Sequence, residues 1–494
     1  MSFATPDATK SCHEDFPQLT YNELGKTGLY ISEAGIGTYR MSNQNPDHVN
    51  AMRRALLYGI NLIDTSSNYM DGDAERLIGE SLRVNSIDRE TVVIVSKGGY
   101  LPKNLATQDQ LNSESFTSLD DKMGHCLDPD FIKSQLQQSL DRLSIDCIDV
   151  YLIHNPEYYL KHLLETEDNE LIAKDRFYRQ VQALFELLET EVKNGNIQYY
   201  GISANTLPHT TAIDSINVDY CVEIASKITK DHHFAVCQFP FNLCENEAAR
   251  SIDGKEPLLD QLKRHGIGSL SNRPFNSIFG GEFVSLKNVI VEKEIHSLGD
   301  LEELFQRSSQ IEDQINKEII QNVIEDEAEQ KKLYETIAMT GVLYGMMDDR
   351  HNYDTFRDAL LHYGLPKVEI GINQLAPYIE DNLDHKKQCI GYYSTVNRCF
   401  EGLSHYYKTK KEPIVQKLKE NIFSLIELSP HTSLPSMAFS TLRETSNLDA
   451  ILVGMRHESY VEHILEECEK NRYFDCEQPF WEALDKKNKK ILTN

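Results

Sequence analysis

Four polar residues stand at, or just past, the ends of three apolar runs: Asp64 and Tyr69 in GINLIDTSSNY, Lys97 in TVVIVSKGG and His154 in IDVYLIHNP. These types suit proton transfer to an oxygen that gains negative charge, as on a carbonyl accepting hydride, because that oxygen needs a proton donor and polarising groups aimed at it. A free tyrosine, with a pKa of about 10, is too weak an acid at neutral pH unless a cation stabilises its phenolate. Lys97 is the expected cation, and Asp64 the group that holds it and keeps it charged. His154 is expected to direct the reacting oxygen toward Tyr69 or to help donate the proton. A strand-end Asp or His by itself is more often structural. Four in succession, after three successive hydrophobic segments, point to a site built at the C-terminal tips of parallel strands.

The elements that must position them follow a regular rhythm. HVNAMRRALLYG, AERLIGESLRV and DFIKSQLQQSLDRL have helical periodicity, and INLID, TVVIVS and DVYLI read as buried strands between and after them, the pattern of βα units. FYRQVQALFELLETEVKNG and LLDQLKRHG continue the helices, IQYYGIS, FAVCQFPFN and IGSLS the strands, and LPSMAFSTLRET before DAILVG completes the series. Upstream, QLTYNELGKTGLYISEAGIGTYRM alternates around a Gly-Lys-Thr-Gly turn, which predicts a hairpin closing the barrel bottom and then the first barrel strand. Its GIG is no dinucleotide fingerprint, since Arg40 stands where a third glycine is required. The predicted fold class is α/β: a (β/α)8 TIM barrel with an N-terminal β-hairpin and a helical insertion after strand 7.

The predicted boundaries are 18–280 and 408–475 for the discontinuous barrel, 281–407 for the insertion, and 1–17 with 476–494 as terminal extensions. Tyr100 to about Leu127 reads as a polar loop with little periodicity. In the insertion Leu304, Ile311, Ile315 and Ile319 mark one helical face, and Leu333, Ile337 and Leu343 another. Its place after the seventh strand is expected to bring it to the C-terminal face, where it could cap the pocket, bind a protein partner or form a homo-oligomer contact.

A net charge of -27 argues against a nucleic-acid or anionic-membrane partner. The 10 cysteines show no CxxC pair and no metal-finger spacing, so they are expected as reduced thiols. His232-His233 lacks the further ligands a metal requires, and no metal is expected. The first residues, with Asp7, Glu14 and Asp15, resemble neither a signal nor a transit peptide. With no apolar run long enough to span a bilayer, the expected location is cytoplasmic.

The order Asp64, Tyr69, Lys97, His154, together with LGKTGLYISEAGIGT, AERLIGESL, SLDRLSIDCIDVYLIHNPE, YYGIS and VGMR, resembles the aldo-keto reductase family. The resemblance covers about residues 18 to 280 and 410 to 470, and implies NAD(P)-dependent hydride transfer between a carbonyl (aldehyde, ketone or sugar) and an alcohol. It implies Tyr69 as general acid/base, assisted by Lys97, Asp64 and His154. It further implies an extended nicotinamide cofactor across the barrel mouth, NADP before NAD. Ser203 and Gln238 match the family's carboxamide-holding positions; Ala204 replaces the usual asparagine, and Asn205 is the candidate substitute. Ser271-Asn272-Arg273-Pro274-Phe275 stands where relatives carry a nicotinamide-stacking aromatic, and Arg273 is a candidate for a cofactor phosphate. Gly454 and Arg456 follow the last strand, where a cation favours the 2′-phosphate of NADP, although His463 and Ile464 replace the family's common Glu-Asn pair. Thr38 is expected beside the cofactor, and Tyr39 and Asn155 beside the substrate. The alternative reading is a cofactor-binding regulatory or scaffold protein with little turnover, for which the altered Asn272-Arg273 region and the long insertion speak.

Overall fold

The structure, a computed structural model, describes residues 2–279, 282–286, 298–347, 364–429, 431–471 and 475–493. The chain divides into two compact units, one of Met1–Ser277 with Ile422–Asn494 and one of Ile278–Asn421. The first opens with a hairpin of β1 (Tyr21–Glu23) and β2 (Tyr30–Ser32), antiparallel in register Asn22 to Ile31. A closed parallel barrel follows: β3 (Ala34–Gly37), β4 (Leu62–Asp64), β5 (Val93–Gly98), β9 (Ile148–His154), β10 (Ile197–Ser203), β11 (Phe234–Pro240), β12 (Gly268–Asn272) and β15 (Ala450–Val453). All eight predicted barrel strands and the hairpin are present. Helices between the strands start on side-chain caps, Asn45 before Pro46–Leu57 and Asp128 before Pro129–Leu143, each followed by a proline at the first turn.

The barrel interior is a packed core of Leu62, Val93, Val95, Val150, Leu152, Val236, Leu270 and Leu452, with Leu24, Leu29 and Ile31 of the hairpin sealing it from below. The hairpin turn presses on β12: Gly25 has φ of 51°, and a Cβ there would lie 2.3 Å from the Gly268 nitrogen, so only glycine serves. A second close approach lies in the barrel wall. The β10–β11 register shifts between Tyr200 and Gly201, and a Cβ on Gly201 would fall 1.7 Å from the Val236 carbonyl oxygen. Gly201→Ala is therefore expected to cost about 2 to 3 kcal/mol by forcing the two strands apart, read as a lower urea midpoint with an unchanged slope.

Three features depart from the sequence reading. The stretch after Lys97 is not a loop: β6 (Tyr100–Pro102), β7 (Phe116–Ser118) and β8 (Met123–Cys126) form an antiparallel sheet in the order β6-β8-β7. Three- and four-residue strands are too short to register as periodicity. A further two-stranded sheet, β13 (Asn276–Phe279) with β14 (Glu282–Ser285), follows β12. The second unit also passes the expected limit at 407, because Leu383–Phe423 is one unbroken 41-residue helix that carries Pro413 inside it. Of the predicted insertion, residues 281, 287–297 and 348–363 lie outside those described.

Beyond β14, the described elements of the second unit are helices, including Leu298–Gln314, Glu327–Ile337, Thr340–Gly345 and Leu365–Leu375. Leu304, Ile315, Ile319, Leu333, Ile337 and Leu343 are buried in its own core, with Ile311 packed at the edge. Glu312 is buried among them and takes hydrogen bonds from the Tyr392 hydroxyl at 2.5 Å and the Thr340 amide at 3.1 Å, which offset the desolvation of its carboxylate. Among the described residues no helix is long and apolar enough to cross a membrane.

Candidate active site

Each residue of the candidate site owes its position to the end of a barrel strand. In barrel order, β4 ends at Asp64, β9 at His154, β10 at Ser203 and β12 at Asn272, while Lys97 and Gln238 lie near the ends of β5 and β11. Six neighbouring strands thus deliver their polar termini to one mouth, the end where barrel sites form. Thr38 follows β3, and its hydroxyl donates to the Asp64 carbonyl at 2.9 Å.

Asp64 is the hub. Lys97 Nζ lies 2.7 and 2.8 Å from its two carboxylate oxygens and donates to the Thr65 carbonyl at 2.7 Å. Gln238 Nε2 reaches the same carboxylate at 2.6 Å from the far side of the barrel. Asp64 and Lys97 are both buried. Burial pushes the Asp64 carboxyl up against the lowering effect of Lys97, and pulls the Lys97 ammonium down against the raising effect of Asp64. Each charge is tolerated because the other is in contact.

Tyr69 reaches this pair by a strained turn. After β4 the chain keeps pairing with β5, Thr65 N to Val95 O and Ser67 N to Lys97 O, and then closes a short turn through Tyr69 N to Ser66 O. Met70, Asp71 and Gly72 follow with φ of 49°, 54° and 87°, so two non-glycine residues hold left-handed backbone, at roughly 1 kcal/mol or more each. The turn sets the Tyr69 ring with its centroid 5.1 Å from Lys97 Nζ, 5.3 Å from the Tyr39 ring and 6.1 Å from the His154 ring. Burial, then the Asp64 charge, push the phenol well above its ordinary pKa. The resting site therefore holds a protonated tyrosine, and the pKa-lowering expected of Lys97 is not what dominates before reaction.

His154 is buried and neutral, its pKa pulled well below the ordinary value by burial, Lys97 and His125. Its Nδ1 lies 3.0 Å from Ser66 Oγ. The sheet that replaces the predicted loop supplies an aromatic wall here: the Tyr100 ring meets His154 edge-on at 4.9 Å, and the rings of Tyr158 and His125 complete the cluster. Asn155 adopts φ of 50° and donates from Nδ2 to the Tyr100 hydroxyl at 2.7 Å. Tyr39 is 58 % exposed, at the outer face of Tyr69.

The remaining expected positions divide. Ser203 Oγ lies 3.1 Å from Gln238 Oε1, which also takes Asn272 Nδ2 at 3.3 Å, and Asn272 Oδ1 is a buried acceptor without a partner among the described residues. That polar ring fits an amide-bearing ligand. Asn205 is instead held by Glu157, to whose Oε1 its amide N and Nδ2 donate at 2.8 and 3.1 Å. Arg273, at φ of 56°, gives Nη2 to Glu245 at 2.8 Å, and its buried Nε has no partner among the described residues. Gly454 is exposed just after β15, and Arg456 stands half-buried before the helix Glu458–Cys468, at a terminus that favours anions. His232 and His233 are engaged by Lys26 and Glu189.

Sequence reasoning missed Ser66, Asn68, Tyr100, His125, Tyr158, Glu157 and Glu245. Ser66 and Asn68 sit inside the same DTSSNY that announces the site, yet nothing in their types separates a hydrogen-bonded partner from turn filler. Glu157 and Glu245 carry no sequence signal of the burial and the pairing that the fold gives them.

Residues 33–310 match the family model described as Aldo/keto reductase family. Among curated proteins, the 6-dehydroglucose reductase of Novosphingobium aromaticivorans is 27% identical over 203 residues, 39% of this chain and 54% of that protein. The NADH-specific methylglyoxal reductase of Escherichia coli is 31% identical over 140 residues, 26% of this chain and 40% of that protein. The chain thus spans about half, or less, of the length of the curated relatives it matches. Among solved structures, an aldo-keto reductase of Bacillus halodurans in its holo form aligns over 94% of this chain and 96% of that one, at 15% identity and a TM-score of 0.48. An aldo-keto reductase of Klebsiella pneumoniae in complex with NADPH aligns over 52% and 68%, at 22% identity and a TM-score of 0.33.

Proposed function

The chain belongs to the aldo/keto reductase family, and from that premise we propose that it is an NAD(P)-dependent oxidoreductase interconverting a small carbonyl compound (aldehyde, ketone or sugar) and its alcohol. The observation that carries this reading is the Tyr69 ring set beside the ammonium of a buried Lys97–Asp64 pair, its centroid 5.1 Å from Nζ. A bound nicotinamide nucleotide supplies the hydride. Thr38, Ser203, Gln238 and Asn272 are the proposed amide-side contacts, with Asn205 presented by Glu157. Arg273, Gly454 and Arg456 are the proposed phosphate-side contacts, with Arg456 favouring NADP. Tyr39 and Asn155 flank the proposed substrate position.

Tyr69 gives its proton to the substrate oxygen as charge builds there, and the phenolate left behind faces Lys97, whose charge Asp64 fixes in place. In the opposite direction the same phenolate takes the proton of the alcohol. Carbonyl reduction suits the relatives named for dehydroglucose and methylglyoxal. The unpaired, buried cysteines suit a reducing, cytoplasmic setting.

The test is a fluorescence titration with NADPH and NADH, followed by turnover on a panel of aldehydes and sugars. Saturable binding with turnover supports the proposal; binding without turnover across the panel favours the regulatory alternative. Arg456→Ala is expected to weaken NADPH binding about tenfold, within the range of one charge-assisted contact, and to leave NADH binding unchanged.

A further inference from the structure

Neighbouring side chains on a strand point to opposite faces. On β5, Val95 and Lys97 face the barrel interior, so Ser96 between them faces the surrounding helices. There its Oγ donates at 2.7 Å to Oε1 of Glu75, in the first turn of the helix Asp73–Val84. The other carboxylate oxygen, Oε2, accepts at 2.6 Å from Nε of Arg142, in the last turn of the helix Pro129–Leu143. Glu75 is fully buried.

Arg142 also reaches the turn that carries Tyr69. A Cβ on Gly72, the last residue of that turn, would lie 2.5 Å from Arg142 Cδ and 2.7 Å from its Nε, so the arginine lies directly against the turn's backbone. Met70 and Asp71 just before it hold left-handed backbone, and strain of that kind persists only where the surroundings over-determine it. One carboxylate therefore ties the strand that bears Lys97, the helix that leaves the Tyr69 turn and the side chain packed against that turn.

Helix packing alone does not call for this arrangement. A Cβ on Gly79 would fall 2.2 Å from the Leu143 carbonyl oxygen, so the two helices already meet backbone to backbone. A buried ion pair, moreover, adds little to stability over apolar side chains of similar volume. The Glu75 charge is also felt inside the barrel: burial pulls the Lys97 ammonium down, and Asp64 and then Glu75 oppose it.

We infer that Glu75, acting through Ser96 and Arg142, is a positioning residue that sets the separation between the Tyr69 ring and the Lys97 ammonium. The brace is read from these contacts; its effect on turnover rests on the oxidoreductase reading. It works from outside the barrel wall, touches no reacting atom, and fixes from behind the two side chains whose spacing governs proton transfer.

The experiment replaces both members of the pair, Glu75→Met with Arg142→Met, so that no buried charge is left alone. The crystal structure of this double variant is expected to show the Tyr69 ring moved by about 1 Å relative to Lys97 Nζ, and kcat to fall about 10- to 100-fold, the loss that a misplacement of that size produces. The urea midpoint and the Kd for NADPH are expected to stay near wild type. Arg142→Lys, which keeps a cation beside Glu75, is expected to retain most of the kcat that Arg142→Met loses. An unmoved ring with wild-type kcat in the folded double variant overturns the inference, whatever the change in urea midpoint, since a purely structural pair would give that result. Should the double variant fail to fold, Ser96→Ala, which cuts the strand arm alone, decides: kcat about tenfold lower supports the inference, and wild-type kcat overturns it. If the wild type itself turns over nothing on the panel, the oxidoreductase reading fails, and the ring-to-ammonium distance in the wild-type and variant crystal structures still decides the brace.

Discussion

Tyr69→Phe is expected to lower kcat by a factor on the order of 1,000 while leaving the Kd for NADPH within about twofold of wild type. The hydroxyl is an acid whose pKa burial raises, on a ring beside a fixed cation, and a positioned acid or base commonly contributes about 100- to 10,000-fold. The ring itself is retained, so its contacts with Tyr39 and His154 persist, and the cofactor contacts proposed on Ser203, Gln238 and Asn272 are untouched. The pH profile carries a sign. Burial and Asp64 raise the phenol's pKa, so the acid form needed for reduction persists through neutral and mildly alkaline pH. Reductive kcat/KM should therefore show no loss there attributable to a tyrosine. Stopped-flow turnover with fluorescence binding in parallel checks both statements; a variant that retains activity would remove Tyr69 from the reaction.

Lys97→Met should act on stability as well as turnover. The lysine is fully buried, and its ammonium touches both carboxylate oxygens of Asp64. Removing one member of such a pair leaves the other charge uncompensated, which costs about 3 to 5 kcal/mol. Among the described residues, Gln238 Nε2 would then remain on the carboxylate side chain. Burial already raises the Asp64 pKa with the lysine present, and without it the rise is larger. The folded variant thus holds a proton that the unfolded chain has released. Its stability deficit should be small in acid, where both forms are protonated, and should grow as pH rises through the ordinary carboxyl range toward neutrality. Adding Asp64→Asn should recover much of the stability at pH 7 but none of the turnover. Urea unfolding at acid and neutral pH measures this, and a deficit independent of pH would show that the lysine acts by packing alone.

The barrel was legible because each strand is a run of apolar residues between helical segments, a pattern that burial on both faces imposes on parallel strands. Asp64, Lys97 and His154 were legible for the same reason: each interrupts such a run at the end where sites form. What escaped was set by contacts distant in sequence. Gln238 could be picked out, but not that its amide would cross the barrel to Asp64, 174 positions away. The β6-β8-β7 sheet escaped because its strands are too short to show alternation, and with it went the aromatic wall on His154. Arg273 could be picked out as a candidate phosphate contact, but not its pairing with Glu245, a contact 28 positions away. Asn205 read as a displaced family asparagine without any sign that Glu157 would take its amide.

The closing strand has a consequence for how the chain comes to be folded at all. β15 must pair with β12 on one side and β3 on the other, and Asp449 beside it bonds to Ser269, 180 positions earlier. At roughly 5 to 20 residues per second of synthesis, a ribosome takes roughly ten to forty seconds to cover that gap. Throughout that interval seven strands exist with two open edges, the arrangement most prone to pair with a foreign strand. The thermodynamic cost of the long detour is slight, since loop closure grows only logarithmically with length. The hazard is one of timing, and it falls on the newborn chain rather than on the finished barrel.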